Sequence, residues 1–238
     1  MAKIETLEYT QAGRFRRGRR GHQPTLIVLH WSAGFGDADE IADYFVDPHT
    51  IVPVTDEKGH PVIDPQTGKP MVIKKPRYAS YHLAIGRDGV ARQLVDTVDT
   101  AWHAGGLDWS GTGHINERSI GICLANRGPL HKDRAFQKAH PDRVYSGAHT
   151  KPGFKMWGAA FEAYTDPQIE TLKTLLDLLT KLHPTLAFVC GHEDLVQGKG
   201  DPGPALYEHA IDWADFHLVR HAKDWASGDW IGLGAVDV

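Results

Sequence analysis

Two hydrophobic periodicities alternate along this chain. Residues 25–30, TLIVLH, form a continuous branched apolar run, the pattern of a strand covered on both faces. Residues 37–46, DADEIADYFV, place Ile41, Ala42 and Phe45 on one helical face, and Asp37 stands where an N-cap belongs. SYHLAIG and VARQLV flank Asp88 and Gly89 and read as a hairpin, because glycine there supplies the positive φ of a tight turn. RSIGICLA (118–125) and LAFVC (186–190) read as further buried strands. The clearest helix is 166–183, where Leu172, Leu175, Leu176, Leu179 and Leu182 recur at spacings of three and four behind a Thr165 cap and Pro167. A last helix is expected from about Ala205 to His221.

Two stretches carry no period. Residues 47–76 are dense in Pro, Gly, Asp and Thr, the composition of a long loop or small hairpin, and residues 126–164 form a second excursion. Strands and helices otherwise alternate without an internal repeat. The expected fold is α/β, with a mixed central β-sheet flanked by helices. One domain is expected over 23–222, between a basic N-terminal arm (1–22) and a C-terminal tail (223–238).

Composition narrows the function classes. Among 238 residues, 24% are charged and 41% apolar, the balance of a globular chain that buries a core. Twenty-six Lys and Arg against thirty Asp and Glu leave a net charge of −4, so there is no global basic field and no specific nucleic-acid partner is expected. Residues 14–20, RFRRGRR, hold five arginines in seven positions and read as a solvated arm or a contact for anionic polymers. No apolar run approaches a membrane span and the start of the chain lacks a signal peptide, so a cytoplasmic, monomeric protein is expected. Cys123 and Cys190 sit in apolar runs and imply no disulfide framework.

The fifteen histidines matter by position. His30 ends one buried strand and His192 follows another, at the sheet edge where open α/β folds place their sites. Asp201 lies nine residues beyond His192, in the rigid KGDPGP loop. Two imidazoles and one carboxylate leave a fourth tetrahedral position open, the pattern of a catalytic zinc site. From so many histidines such a trio also arises by chance.

Six blocks decide between those alternatives. VLHWSAG, SYHLAIGRDG, AWHAG, NERSIGICLAN, YTDPQIETLKTLL and GHEDLVQGKGDPGP, in this order from about residue 24 to about residue 214, resemble the type 2 N-acetylmuramoyl-L-alanine amidases. That family includes phage endolysins, bacterial recycling amidases and peptidoglycan recognition proteins. The resemblance implies that His30, His192 and Asp201 hold Zn²⁺. It implies that Lys199 stabilises the oxyanion formed from the amide carbonyl, that Tyr81 assists by hydrogen bonding, and that peptidoglycan is the substrate, cut between N-acetylmuramic acid and L-alanine.

The remaining histidines are read from their surroundings. His82 and His103 suit supporting hydrogen bonds, and His103 in WHAG also suits a groove wall, with Trp102 and Trp109 offering faces to sugar or peptide. Glu193 reads as solvated or capping. One position departs from the recycling branch, which has a glutamate where this chain has Cys123. A neutral thiol replaces a carboxylate base poorly, which favours a phage-type endolysin over a recycling amidase. A binding module that has lost catalysis is a third reading.

Overall fold

The computed structural model describes residues 4–6, 15–16, 22–34, 36–46, 49–76, 79–105, 114–146, 160–196, 198–207, 209, 211–223 and 230–233. Short strands β1 (Ile4–Thr6) and β2 (Phe15–Arg16) precede β3 (Leu26–Trp31), the strand expected from TLIVLH. Helix α1 (Ala38–Val46) starts where Asp37 Oδ1 accepts the backbone N–H groups of Asp39 and Glu40 at 3.0 and 3.1 Å. The Pro-rich excursion is a hairpin of β4 (His49–Pro53) and β5 (Val72–Pro76). A second hairpin joins β6 (Leu83–Ile85) to β7 (Ala91–Gln93) through Gly89 at φ 81°. Strand β8 (Thr100–Ala101), the single turn α2 (Ile115–Arg118) and strand β9 (Ser119–Leu124) follow.

The second excursion holds helix α3 (Arg134–Ala139) and an antiparallel pair, β10 (Val144–Ser146) and β11 (Ala160–Glu162). Helix α4 (Asp166–Leu182) matches the leucine pattern and begins with a capping box between Thr165 and Gln168. Beyond it come β12 (Phe188–Gly191) and the short helices α5 (His192–Leu195) and α6 (Pro204–Tyr207). The chain closes with β13 (Val219–Lys223) and β14 (Trp230–Leu233).

The expected helix over 205–221 is therefore corrected. Helix α6 stops at Tyr207, a 3₁₀ turn capped by Asp212 covers Trp213–Phe216, and His217 in the left-handed conformation ends it. The chain then pairs with β12 as a parallel strand, a tertiary pairing that overrides local propensity. The sheet also reaches past the 23–222 span expected for the domain. β1 pairs with β7 at one edge and β14 with β13 at the other. Apart from Ile4–Thr6 and Phe15–Arg16, which pair with strands, and His22, the basic arm lies outside the described residues, as does Trp109.

Eight strands form the central sheet in the order β1-β7-β6-β9-β3-β12-β13-β14. Strands β6, β9, β3, β12 and β13 run parallel to one another, and the β6–β7 and β13–β14 pairs are antiparallel. Strand alternation sorts the two faces. Ile27, Leu29, Ile120, Ile122 and Leu124 pack with Leu172, Leu175, Leu176 and Leu179 of α4. Burying each such side chain stabilises the fold by about 1.5–3 kcal/mol. Leu26, Val28, Ala84 and Cys123 belong to the clusters of the opposite face, which α1 and α2 cover. Among the described residues no helix is long and apolar enough to cross a membrane.

Candidate metal centre

His30 shares the alternation of Leu26 and Val28, so it ends its strand on the face away from α4. β12 lies beside β3 in parallel, with Gly191 opposite Leu29, so both strands finish at the same sheet edge. His192 is the first residue of α5. Asp194 holds that turn: Gly191 N–H donates to its Oδ2 at 2.7 Å and Arg220 contacts both its oxygens at 3.4 Å. Asp201 returns over the same edge, its carbonyl accepting the Glu193 N–H at 2.8 Å. Gly203 then turns at φ 77°, where a Cβ would come within 2.6 Å of the Trp31 ring.

These elements bring the three expected ligands together. His30 Nδ1 lies 2.9 Å and His192 Nδ1 3.1 Å from one oxygen, Asp201 Oδ2. One donor atom from each residue lies within 4.8 Å of the others. Exposures of 0, 9 and 8% remove the cluster from bulk water. Burial is the largest influence on His30 and lowers its pKa to about 4 against the contact with Asp201, so the ring is neutral at pH 7, as a metal ligand must be. Burial pushes the Asp201 carboxyl up, but the adjoining His192 and His30 rings outweigh it and hold the group below the usual carboxylate range. Two imidazoles and one carboxylate converging on a buried point fit a tetrahedral divalent cation.

Around this point the other expected residues separate into groups. The Tyr81 ring lies 4.9 Å from the His30 ring and 4.7 Å from that of Phe45. Burial, then nearby Cys123 and Asp201, push the Tyr81 phenol well above its ordinary value, so it keeps its proton. Lys199 is exposed, and its positive charge opposes protonation of His30. Trp102 is half-buried, its backbone exchanging hydrogen bonds with Ser80 at 2.9 and 3.0 Å. A cavity of about 330 Å³, lined by Ser32, Gly34, Glu40, Ile41, Tyr44 and Phe45, opens beside Tyr81's neighbour Phe45.

His103 occupies a different place from the groove wall suggested by WHAG. It is 6% exposed and lies behind His30, with Nδ1 3.1 Å from His30 Nε2 and Nε2 3.1 Å from Ser119 Oγ. Its ring fills a slot that Gly121 leaves open: a Cβ on Gly121 would come within 2.6 Å of it. Ser119 went unnoticed in the sequence, although a lone glycine inside SIGIC is a signal of close approach over a strand. His82 takes the Gly121 N–H on Nδ1 at 2.9 Å and pairs Nε2 with the Asp99 carbonyl at 3.1 Å, a structural arrangement. Cys123 pairs with His30 in register and is fully buried. Burial, then Asp201, push its thiol well above the ordinary value.

Comparison with known proteins gives the family. Residues 20–204 match the family model Amidase_2, described as N-acetylmuramoyl-L-alanine amidase. The chain is 31% identical over 137 residues to the 1,6-anhydro-N-acetylmuramyl-L-alanine amidase AmpD of Enterobacter cloacae, covering 57% of this chain and 54% of that one. It is 28% identical over 183 residues to the N-acetylmuramoyl-L-alanine amidase AmiD of Escherichia coli K12, covering 75% and 49%. The chain thus spans about half the length of these curated relatives. Its fold matches the crystal structure of a selenomethionine AmpD derivative with a TM-score of 0.51 at 23% identity, covering 91% of this chain and 93% of that one. With the family model matching most of its length, the chain belongs to the Amidase_2 family of N-acetylmuramoyl-L-alanine amidases.

Proposed function

We propose that this protein is a zinc-dependent amidase that hydrolyses the bond between N-acetylmuramic acid and the L-alanine of peptidoglycan stem peptides. The convergence of His30, His192 and Asp201 at one buried point carries the reading. These three residues would hold Zn²⁺, which supplies Lewis-acid polarisation of the amide carbonyl and acidifies water to a pKa of about 7.

The chain's own groups supply the rest. Lys199, exposed two residues before Asp201, offers an ammonium to the negative charge that develops on the carbonyl oxygen. Tyr81 keeps its phenolic proton and donates a hydrogen bond beside the His30 ring. The cavity walled by Ser32, Glu40, Tyr44 and Phe45 receives part of the muramyl peptide, with Trp102 available as a further face. Asp201 stays anionic at neutral pH and so keeps the ligand set intact.

Cys123 supports a wall-degrading, endolysin-type role, since its buried thiol cannot serve as the carboxylate base of the recycling branch. The name of the Enterobacter relative favours a second reading, action on soluble anhydro-muropeptides. Release of L-alanine amino termini from purified sacculi and from soluble anhydro-muropeptides tests both. Zinc-loaded protein is expected to release amines without new reducing sugars, and chelated protein and His192→Ala are not. A preference for sacculi supports the endolysin reading and a preference for soluble fragments the recycling one. No release from either would overturn the amidase.

A further inference from the structure

Behind the ligand cluster runs a chain of hydrogen bonds whose direction is set at its far end. The Ile115 carbonyl can only accept, so the Ser119 hydroxyl, 2.6 Å away, donates to it. Ser119 Oγ is thereby left as acceptor for His103 Nε2 at 3.1 Å, which must carry the ring proton. A neutral imidazole has one such proton, so His103 Nδ1 presents a lone pair. That lone pair faces His30 Nε2 at 3.1 Å, and the proton between them belongs to His30. His30 Nδ1 is then a lone pair, and Nδ1 is the atom turned toward Asp201 Oδ2, which His192 Nδ1 also contacts.

The reverse arrangement fails at one link. With a proton on His30 Nδ1, His30 Nε2 would accept from His103 Nδ1, and His103 Nε2 would accept from Ser119. Ser119 Oγ and the Ile115 oxygen would then face each other at 2.6 Å with no hydrogen between them; the favoured arrangement leaves that opposition only between His30 Nδ1 and Asp201 Oδ2, at 2.9 Å, the two atoms that the zinc reading gives to the cation. The ring's placement is itself constrained. Asn116 Oδ1 accepts the backbone N–H groups of His103 and Ala104 at 3.0 and 2.8 Å, and Asn116 Nδ2 donates to the Gly105 carbonyl at 2.6 Å. Gly121 keeps the slot beneath the ring free.

We infer that His103 and Ser119 are positioning residues that hold the His30 proton on Nε2 and so present Nδ1 to the metal in its binding tautomer. No group changes its charge in this arrangement. Without it, Asp201 would draw the proton to Nδ1, and a cation would have to displace that proton before binding. The inference rests on the zinc reading of the site, and loss of such an outer partner typically weakens metal binding about 10–100-fold.

The test combines zinc affinity, read by competition with a chromophoric chelator, and ¹⁵N chemical shifts of His30 in the metal-free full chain. Wild type, Ser119→Ala and His103→Phe are compared, the phenyl ring keeping the packing over Gly121. The wild type is expected to show a protonated Nε2 and an unprotonated Nδ1 on His30. Each variant should bind zinc about 10–100-fold more weakly, with the His30 proton shifted toward Nδ1 and thermal unfolding little changed for Ser119→Ala. Unchanged affinity and tautomer in a folded Ser119→Ala protein, or a wild-type His30 protonated on Nδ1, would overturn the inference while leaving the zinc site standing. Failure of all three proteins to bind zinc would overturn the metal reading, and this inference with it.

Discussion

Arg87 grips Glu162 with two parallel hydrogen bonds, Nε to Oε1 and Nη2 to Oε2, each 2.8 Å. The same guanidinium donates to the carbonyls of Gly34 at 3.0 Å and of Gly36, in the segment that leaves strand β3 after His30 and walls the cavity. Glu162 also pairs with Arg143 and accepts the Arg127 backbone N–H at 2.6 Å. A single carboxylate, its side chain 1% exposed, thus ties β11 to the loop beside His30.

Replacing that carboxylate has a stability signature. Burial pushes the Glu162 carboxyl up, but the Arg87 hydrogen bonds and charge, the Arg127 N–H and Arg143 outweigh it, and its pKa lies below the ordinary 4.5. The unfolded chain therefore binds this proton more readily, so the contribution is complete above pH 4.5 and is lost as pH falls through the lower folded value. Glu162→Gln should cost about 3 kcal/mol at pH 7, because two arginines lose a buried partner, and should flatten the acid limb. Urea unfolding from pH 7 to 3 checks this; parallel curves for both proteins would refute it.

Lys199→Ala should separate catalysis from metal binding. The side chain is exposed and belongs to no ligand set, so zinc affinity should hold. Turnover should fall about 10²–10³-fold, the usual cost of losing one oxyanion donor. Rate assays beside chelator competition decide it, and a matching fall in affinity would point to a structural role instead.

Cys123→Ala should leave the pH profile of amine release in place. The thiol is fully buried beside His30 and pushed well above its ordinary value, so it does not titrate in the working range. A shifted limb in the profile would show the thiol taking part.

His192→Ala should abolish stoichiometric zinc and weaken binding by more than about 100-fold, beyond what an outer partner costs. Metal analysis after dialysis reads this directly. Retention of one zinc per chain would place the metal elsewhere.

Leu176→Ala tests the core on the far face. Leu176 is fully buried on α4 against the sheet, and its truncation should cost about 2–5 kcal/mol. His30 lies on the opposite face, so zinc stoichiometry should be retained in the folded variant. Urea midpoints and metal analysis together check both halves.

Much of this architecture was legible in the chain. The leucine spacing of α4, the Thr165 cap, the apolar runs of β3, β9 and β12 and the Asp88-Gly89 turn are local patterns with local causes. The end of the chain was not. The helix expected over 205–221 ends at Tyr207, and residues 219–223 form a strand instead, Val219 and Arg220 pairing with β12 and residues 220–223 with β14.

The site divides in the same way. The sequence by itself determined the candidate donors: strand polarity puts His30 and His192 at one sheet edge, and the blocks that carry them and Asp201 of the KGDPGP loop resemble one family. Only the tertiary structure decided that His103 turns inward to His30, that Ser119 and the Ile115 carbonyl stand behind it, and that Gly121 opens the slot. Those contacts join β3, α2, β9 and the loop after β8, and their direction depends on which oxygen can only accept. Such a condition exists in space and leaves no period or spacing in the chain.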